Sequence, residues 1–359
     1  MSLDDLPVRD DLRGKMPYGA PQIHVPIQLN VNENTHPVPP EVAADIARAL
    51  GEALSGINRY PDREFTALRE ALAGYVGGGV TADNLWAANG SNEVLQQIMQ
   101  AFGGPGRSLL GFPPTYSMYP LLAEGTGTAW VTAERGPDFA ITPDIAVAAI
   151  HAHNPDVTVF CAPNNPTGTG VALDAIAAAY DATDGIVIVD EAYHEFMPDS
   201  EPRATELLAG RPRLLISRTM SKAFAFAGAR VGYLVAHPDA IDALRLVRLP
   251  YHLSALTQAA ATSALRHAPT MLGMVDDIRT QRDRLVRELA GLGYTPHASH
   301  TNFVLFGGVD DPHAVFTRLL EDGIIIRDVG IPNHLRVSAG TESETTTFLA
   351  AMSRIALDG

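Results

Sequence analysis

Seven short apolar runs organise the middle of the chain: residues 84–88, 108–112, 129–133, 157–161, 185–189, 213–217 and 231–236. They barely alternate between apolar and polar positions, which is the pattern of strands covered on both faces. Between them, apolar residues recur at three- and four-residue spacing over 93–102, 143–152 and 173–180, and in a helix ending near Leu122. Strand and helix in this alternation predict an α/β fold, with a mainly parallel seven-stranded sheet between helices.

The pattern changes at both flanks. Residues 1–35 are punctuated by Pro7, Pro17, Gly19, Pro21 and Pro26 and read as an arm. Helices are predicted over 41–54 and 63–75. Beyond Pro250 come helices over 257–267, 270–289, 312–321 and 346–356, with strands over 302–306, 324–327 and 334–337. These C-terminal elements predict a smaller α+β domain that takes in the N-terminal helix. The expected division is an arm (1–35), a large domain (59–255) and a discontinuous small domain (36–58 with 256–359).

Polar clusters close the predicted strands: Gly90-Ser91-Asn92, Tyr116, Asn165, Asp190 and Thr219-Met220-Ser221-Lys222. In a parallel α/β sheet, ligands gather at the carboxyl ends of the strands. The chain has 24 arginines but only two lysines, Lys15 in a polar segment and Lys222 at a strand end. Arginine cannot replace an amine that must lose its proton and attack a carbonyl. Lys222 is therefore the candidate nucleophile.

Composition narrows the classes. A formal charge of −15 argues against nucleic acid or an anionic membrane as partner. A single cysteine, Cys161, excludes an internal disulfide and leaves no metal-ligating cluster. Residues 1–13 lack the apolar core of a signal peptide, and no apolar run approaches bilayer length. A cytoplasmic protein is expected. Dinucleotide, P-loop and hydrolase-elbow motifs are absent.

A lysine nucleophile, a buried carboxylate, an amide, phenols and a phosphate cradle together match the needs of pyridoxal phosphate. Lys222 would form a Schiff base with its aldehyde. Asp190, ending a β-branched run, would pair with its ring nitrogen. Asn165 and Tyr193 would bond its phenolic oxygen, and Tyr116 would stack on its ring. Ser91 and Asn92 at a helix start, with Thr219, Ser221 and Arg230, would hold its phosphate. Taken singly, Ser91 could be a helix cap, Asn165 part of a turn, and the tyrosines packing residues. One ligand's requirements join them.

The segments Pro163-Asn164-Asn165-Pro166-Thr167-Gly168, Val189-Asp190-Glu191-Ala192-Tyr193 and Thr219-Met220-Ser221-Lys222-Ala223-Phe224, with Arg230 eight residues on, resemble the motifs of fold-type I pyridoxal phosphate aminotransferases. Within that group the chain resembles the histidinol-phosphate aminotransferase family almost end to end. The likeness takes in Leu29-Asn30-Val31-Asn32-Glu33-Asn34, Asn58-Arg59-Tyr60-Pro61-Asp62 and His334-Leu335-Arg336-Val337. It implies a homodimer with shared active sites, in which Tyr60 reaches the cofactor phosphate of the neighbouring subunit. It implies Lys222 as the proton shuttle, and Tyr18, Asn32, Asn165, Arg327 and Arg336 around the substrate. The implied substrates are histidinol phosphate and 2-oxoglutarate or glutamate, with the arginines taking phosphate or carboxylate in turn. An aromatic amino acid aminotransferase shares nearly all these residues, and a phospho-amino-acid decarboxylase shares the cofactor set; both readings stay open at this level. A regulator built on the same fold would need a DNA-binding unit, for which the acidic arm has no room.

Overall fold

In the structure, a computed structural model describing residues 5–15, 19 and 22–358, the chain forms twelve strands and eleven α-helices among the described residues. The strands are β1 (Ile27–Gln28), β2 (Leu85–Ala88), β3 (Ser108–Gly111), β4 (Ala129–Thr132), β5 (Val157–Cys161), β6 (Ile186–Asp190), β7 (Leu214–Thr219), β8 (Gly232–Val235), β9 (Thr295–Pro296), β10 (Phe303–Gly307), β11 (Ile324–Ile325) and β12 (Leu335–Ser338). The helices are α1 (Pro40–Leu54), α2 (Thr66–Val76), α3 (Ser91–Phe102), α4 (Met118–Thr126), α5 (Pro143–His153), α6 (Leu173–Asp181), α7 (Pro238–Val247), α8 (Ala255–Arg266), α9 (Ala268–Gly291), α10 (Pro312–Glu321) and α11 (Glu342–Asp358).

The seven predicted strands form one sheet in the order β2-β8-β7-β6-β5-β3-β4. Every neighbouring pair is parallel except those made by β8, which runs antiparallel to both β2 and β7. The fold is thus the mainly parallel α/β sheet expected. Strands β2, β5 and β7 are buried along their whole length, which explains why their sequences carry no alternation. Each buried Val, Leu or Ile side chain contributes about 1.5–3 kcal/mol by leaving water.

Register decides what stands at the functional edge. Cys161 pairs with Asp190 and Asp190 with Ser217, so β5 and β6 end level and β7 runs two residues further, to Thr219. Ala88, Gly232 and Thr219 lie level in the same way. Because β8 is reversed, its first residue rather than its last reaches this edge. Arg230, two residues before Gly232, is delivered there by that reversal.

A second, three-stranded antiparallel sheet has the order β12-β10-β9, and β1 pairs in parallel with β11. Arg327 and Arg336 bridge each other backbone to backbone at 2.9 and 2.8 Å. The arm is not irregular throughout. Ile27 and Gln28 pair with Ile324 and Ile325, and Ser338 donates its amide to Leu29 O at 2.9 Å. Helix α1 packs against α8. Helix α7 was not expected, although Pro238 at its first turn and buried Ala240, Ile241 and Leu244 carry the signal. Among the described residues no helix is long and apolar enough to cross a membrane.

Candidate active site

Where the carboxyl edge of the large sheet faces segment 30–33 and the end of β12, a cavity of about 570 Å³ opens. Ser91, Asn92, Tyr116, Asn165, Asp190, Tyr193, Thr219, Ser221, Lys222 and Arg230 all line it, as do Asn32, Arg327 and Arg336. Four cationic side chains face three carboxylates there (Lys222, Arg230, Arg327 and Arg336 against Glu33, Asp190 and Asp328) in a chain that is acidic as a whole. The local field therefore suits an anion.

Lys222 follows β7 by three residues, between Met220 and the Ala223-Phe224 pair, all buried. Its Nζ donates to Val31 O at 3.2 Å. Part of the side chain stays open to the cavity while the amine is packed round by protein. Burial pushes the amine down to about 8, Arg336 and Arg230 push the same way, and Glu33 opposes them. Lys15, by contrast, pairs with Glu124 at 2.8 Å on the surface.

Asp190 ends β6 and is buried. The Tyr119 hydroxyl donates to its Oδ2 at 2.8 Å, and Oδ1 has no hydrogen-bond partner among the described residues. Burial pushes the carboxyl up to about 6 against the pull of Tyr119 and the Ala192 amide. A buried carboxylate oxygen left unpaired beside a cavity is costly unless a cationic donor meets it. Tyr193 accepts from Asn32 Nδ2 at 3.0 Å, and burial raises its phenol above the ordinary range. Asn32 is itself held by the Ser338 hydroxyl and by Asn302. Cys161 Sγ accepts from the Asn165 amide at 3.4 Å and so supports the loop after β5.

The opposite end of the cavity is a cradle for an oxyanion. Helix α3 begins at Ser91, after Gly90 with φ 88°. A Cβ on Gly90 would meet Arg230 Nη2 at 2.6 Å, so only glycine lets the guanidinium approach the helix start. Thr219 Oγ1 donates to Ser221 Oγ at 2.9 Å and accepts from the Ser221 amide. The Tyr116 hydroxyl donates to Asn92 Oδ1 at 3.1 Å. Arg336 Nη1 donates to Asn165 Oδ1, Nη2 donates to Asn30 O at 2.8 Å, and its guanidinium lies 5.0 Å from the Phe303 ring centre.

Tyr60, expected at the cofactor of a neighbouring subunit, does not line this chain's own cavity. Tyr60 is 80% exposed and stacks on Tyr251 at 4.5 Å instead. Tyr18 lies outside the described residues. The sequence does not single out Tyr119, three residues beyond Tyr116, or the places of Glu33 and Cys161 in the lining; the spacing of the two tyrosines is the available signal.

An amine near its titration point, an unpaired carboxylate oxygen and an anion cradle in one cavity are what pyridoxal phosphate requires, and the residues fit it. They could bind its aldehyde end, its ring nitrogen and its phosphate respectively.

Comparison with known proteins agrees. The family model described as aminotransferase class I and II matches residues 25–352. The chain is 60% identical to a histidinol-phosphate aminotransferase of Paenarthrobacter aurescens (strain TC1), covering 99% of this chain and 96% of that protein. It is 55% identical to one of Thermobifida fusca (strain YX), covering 98% and 96%. Among solved structures it is similar to histidinol-phosphate aminotransferase from Sinorhizobium meliloti in complex with pyridoxal-5'-phosphate, with a TM-score of 0.85 and 27% identity over 93% of this chain and 92% of that one. Motifs, sheet order and relatives agree: the chain belongs to the class I and II aminotransferase family.

Proposed function

We propose that the chain is a histidinol-phosphate aminotransferase acting in histidine biosynthesis. It moves an amino group between L-histidinol phosphate and 2-oxoglutarate, with imidazole acetol phosphate and glutamate as the other pair. The observation that carries this reading is Lys222, whose lowered amine lines the same cavity as Asp190 and Arg336. Identity of 60% to a relative bearing that name supports the substrate. The division into an arm, a large domain over 59–255 and a small domain over 36–58 and 256–359 goes with the same reading.

Pyridoxal phosphate, when bound, supplies an aldehyde that takes up amino groups and a ring that accepts electrons as a Cα–H bond breaks. Asp190 would hold the ring nitrogen protonated through its Oδ1. Asn165 and Tyr193 would donate to the phenolic oxygen, and Tyr116 would cover the ring. Ser91, Asn92, Thr219, Ser221 and Arg230 would hold the phosphate. Lys222 Nζ takes the proton from the substrate Cα, and burial keeps it near neutral-pH titration so that it can both accept and return that proton. Arg327 and Arg336 bind the phosphate of one substrate and a carboxylate of the other, since a planar guanidinium pairs with either. Asn32 fixes Tyr193 on the substrate side.

A cytoplasmic homodimer with shared sites completes the proposal. The stacked Tyr60–Tyr251 pair and the exposed Leu246 and Leu249 are the apolar side chains that a second copy would cover, with Tyr60 reaching the neighbour's phosphate cradle. The deciding experiment compares specificity constants for histidinol phosphate and phenylalanine with 2-oxoglutarate as acceptor. A preference for histidinol phosphate is expected, and a preference for phenylalanine would transfer the chain to the aromatic amino acid aminotransferases.

A further inference from the structure

We infer that Tyr119 is a positioning residue for Asp190, fixing which carboxylate oxygen faces the cofactor and keeping that carboxylate ionised. The inference rests on the proposed cofactor. Tyr119 is 1% exposed, on the first turn of α4, and its hydroxyl proton can go to only one acceptor. At 2.8 Å that acceptor is Asp190 Oδ2, which leaves Oδ1 to the cavity. The ring is held from the cavity side by Tyr116, edge to face at 5.5 Å. One aromatic therefore lines the cavity while the next, a helical turn on, reaches beneath it.

The setting makes this hydrogen bond matter. Asp190 is 2% exposed, and its chain neighbour Glu191 disfavours a second negative charge, although Arg218 pairs with Glu191 at 2.7 Å. Cys161, beside the Tyr119 hydroxyl on β5, stays a thiol because burial pushes it up to about 12. Arg135, after β4, acts on Tyr119 and Cys161 through its charge while its own donors go to Phe112 O and Phe139 O. Lys222 faces Asp190 only across the cavity. Within the protein, the Tyr119 hydroxyl is thus the side chain that draws the Asp190 carboxyl down. Without it, burial opposed by the Ala192 amide but by no side-chain donor would hold the acid protonated further into the neutral range, and a protonated Asp190 cannot pair with a protonated ring nitrogen.

The test measures pyridoxal phosphate affinity by titrating cofactor-free full-length protein between pH 5 and 9, for the parent chain, Tyr119→Phe and Tyr119→His. The cofactor's own ionisations are common to all three. Tyr119→Phe is expected to weaken binding at pH 7 about tenfold or more, the loss expected for a hydrogen bond to a charged group. It should also move the acidic limb of the affinity profile up by about one pH unit. Tyr119→His, which keeps an N–H donor, is expected to restore most of the limb. An unmoved limb in Tyr119→Phe, or limbs displaced equally in both variants, would overturn the inference in favour of simple packing. Melting of the cofactor-free proteins checks folding; if Tyr119→Phe does not fold, the histidine chain decides, a limb near the parent's supporting the role and a displaced one overturning it. Failure of the parent chain itself to bind pyridoxal phosphate would instead strike the proposed function.

Discussion

Arg336 grips Asn165 across the gap between the two sheets. Its Nη1 donates to Asn165 Oδ1 and its Nη2 to Asn30 O at 2.8 Å, so one guanidinium ties β12 to the loop after β5 and to the arm. A fork with donors in fixed directions can hold both partners and still face an oxyanion, which a lysine ammonium cannot do with the same geometry. Arg336→Lys is therefore expected to lower kcat/KM for histidinol phosphate about 10- to 100-fold, and Arg327→Ala by a similar factor. Arg287→Ala, on an exposed face of α9, should leave it within about twofold. Arg279 and Arg282 are poor controls, because they fasten α9 to the carbonyls of Glu195 and Phe196. Steady-state kinetics on the three variants decides, and equal effects at all three positions would remove the arginines from the substrate site.

Gly232 touches the start of α3. A Cβ there would lie 2.1 Å from the Ser91 amide nitrogen, a backbone clash that no side-chain rotation relieves. Gly232→Ala is expected to push the helix start away from Arg230, weaken pyridoxal phosphate binding more than tenfold and cost about 1–3 kcal/mol of stability. Titration with cofactor and urea unfolding measure the two effects.

Asp190 makes stability depend on pH in a direction opposite to most carboxylates. Its folded-state value is raised from 3.8 to about 6, so its ionisation favours unfolding. The penalty is absent below about pH 3.8, grows as pH rises and is complete above about 6. Cofactor-free Asp190→Asn is thus expected to be more stable than the parent at pH 8 by about 3 kcal/mol, and at pH 4.5 by only about 1 kcal/mol. Urea unfolding at the two pH values measures this. An equal gap at both would show that the carboxyl is not carrying the cost.

Tyr60 tests the shared site. Mixed dimers of Lys222→Ala and Tyr60→Ala would contain one site with native Lys222 from one chain and native Tyr60 from the other. Co-refolding the two inactive or weak variants is expected to restore about a quarter of parental activity, as random pairing of chains with one intact site per mixed dimer dictates. No gain on mixing would confine Tyr60 to its own chain.

Much of this was legible in the residues because the large sheet buries both faces. Unalternated runs such as 186–190, short and β-branched, read as strands buried on both faces, and a polar residue closing such a run marks the functional edge. Lys222, Asp190 and Asn165 were visible for that reason. Helix α7 carries ordinary helical periodicity, with Pro238 in its first turn, and is legible by the same rules. The reversal of β8 was not legible, since a buried strand reads the same in either direction; only pairing with Ala88 and Thr219 sets it. Tyr119 was hidden because a tyrosine in an apolar helix is usually packing, and nothing local says that its hydroxyl meets Asp190. The exposure of Tyr60 has the same origin: the surroundings of a residue between α1 and α2 depend on the fold and on any second copy, not on its neighbours in the chain.

The central claim is that Lys222 carries the covalent chemistry, and the scarcity of lysine makes it directly testable. The protein is incubated with pyridoxal phosphate, reduced with borohydride, digested and mapped by mass spectrometry. With only Lys15 and Lys222 in the chain, two side-chain positions can be labelled. A single stoichiometric adduct on Lys222, absent from Lys222→Ala together with its turnover, is the predicted result. Labelling of Lys15 alone, or near-parental turnover in Lys222→Ala, would contradict it.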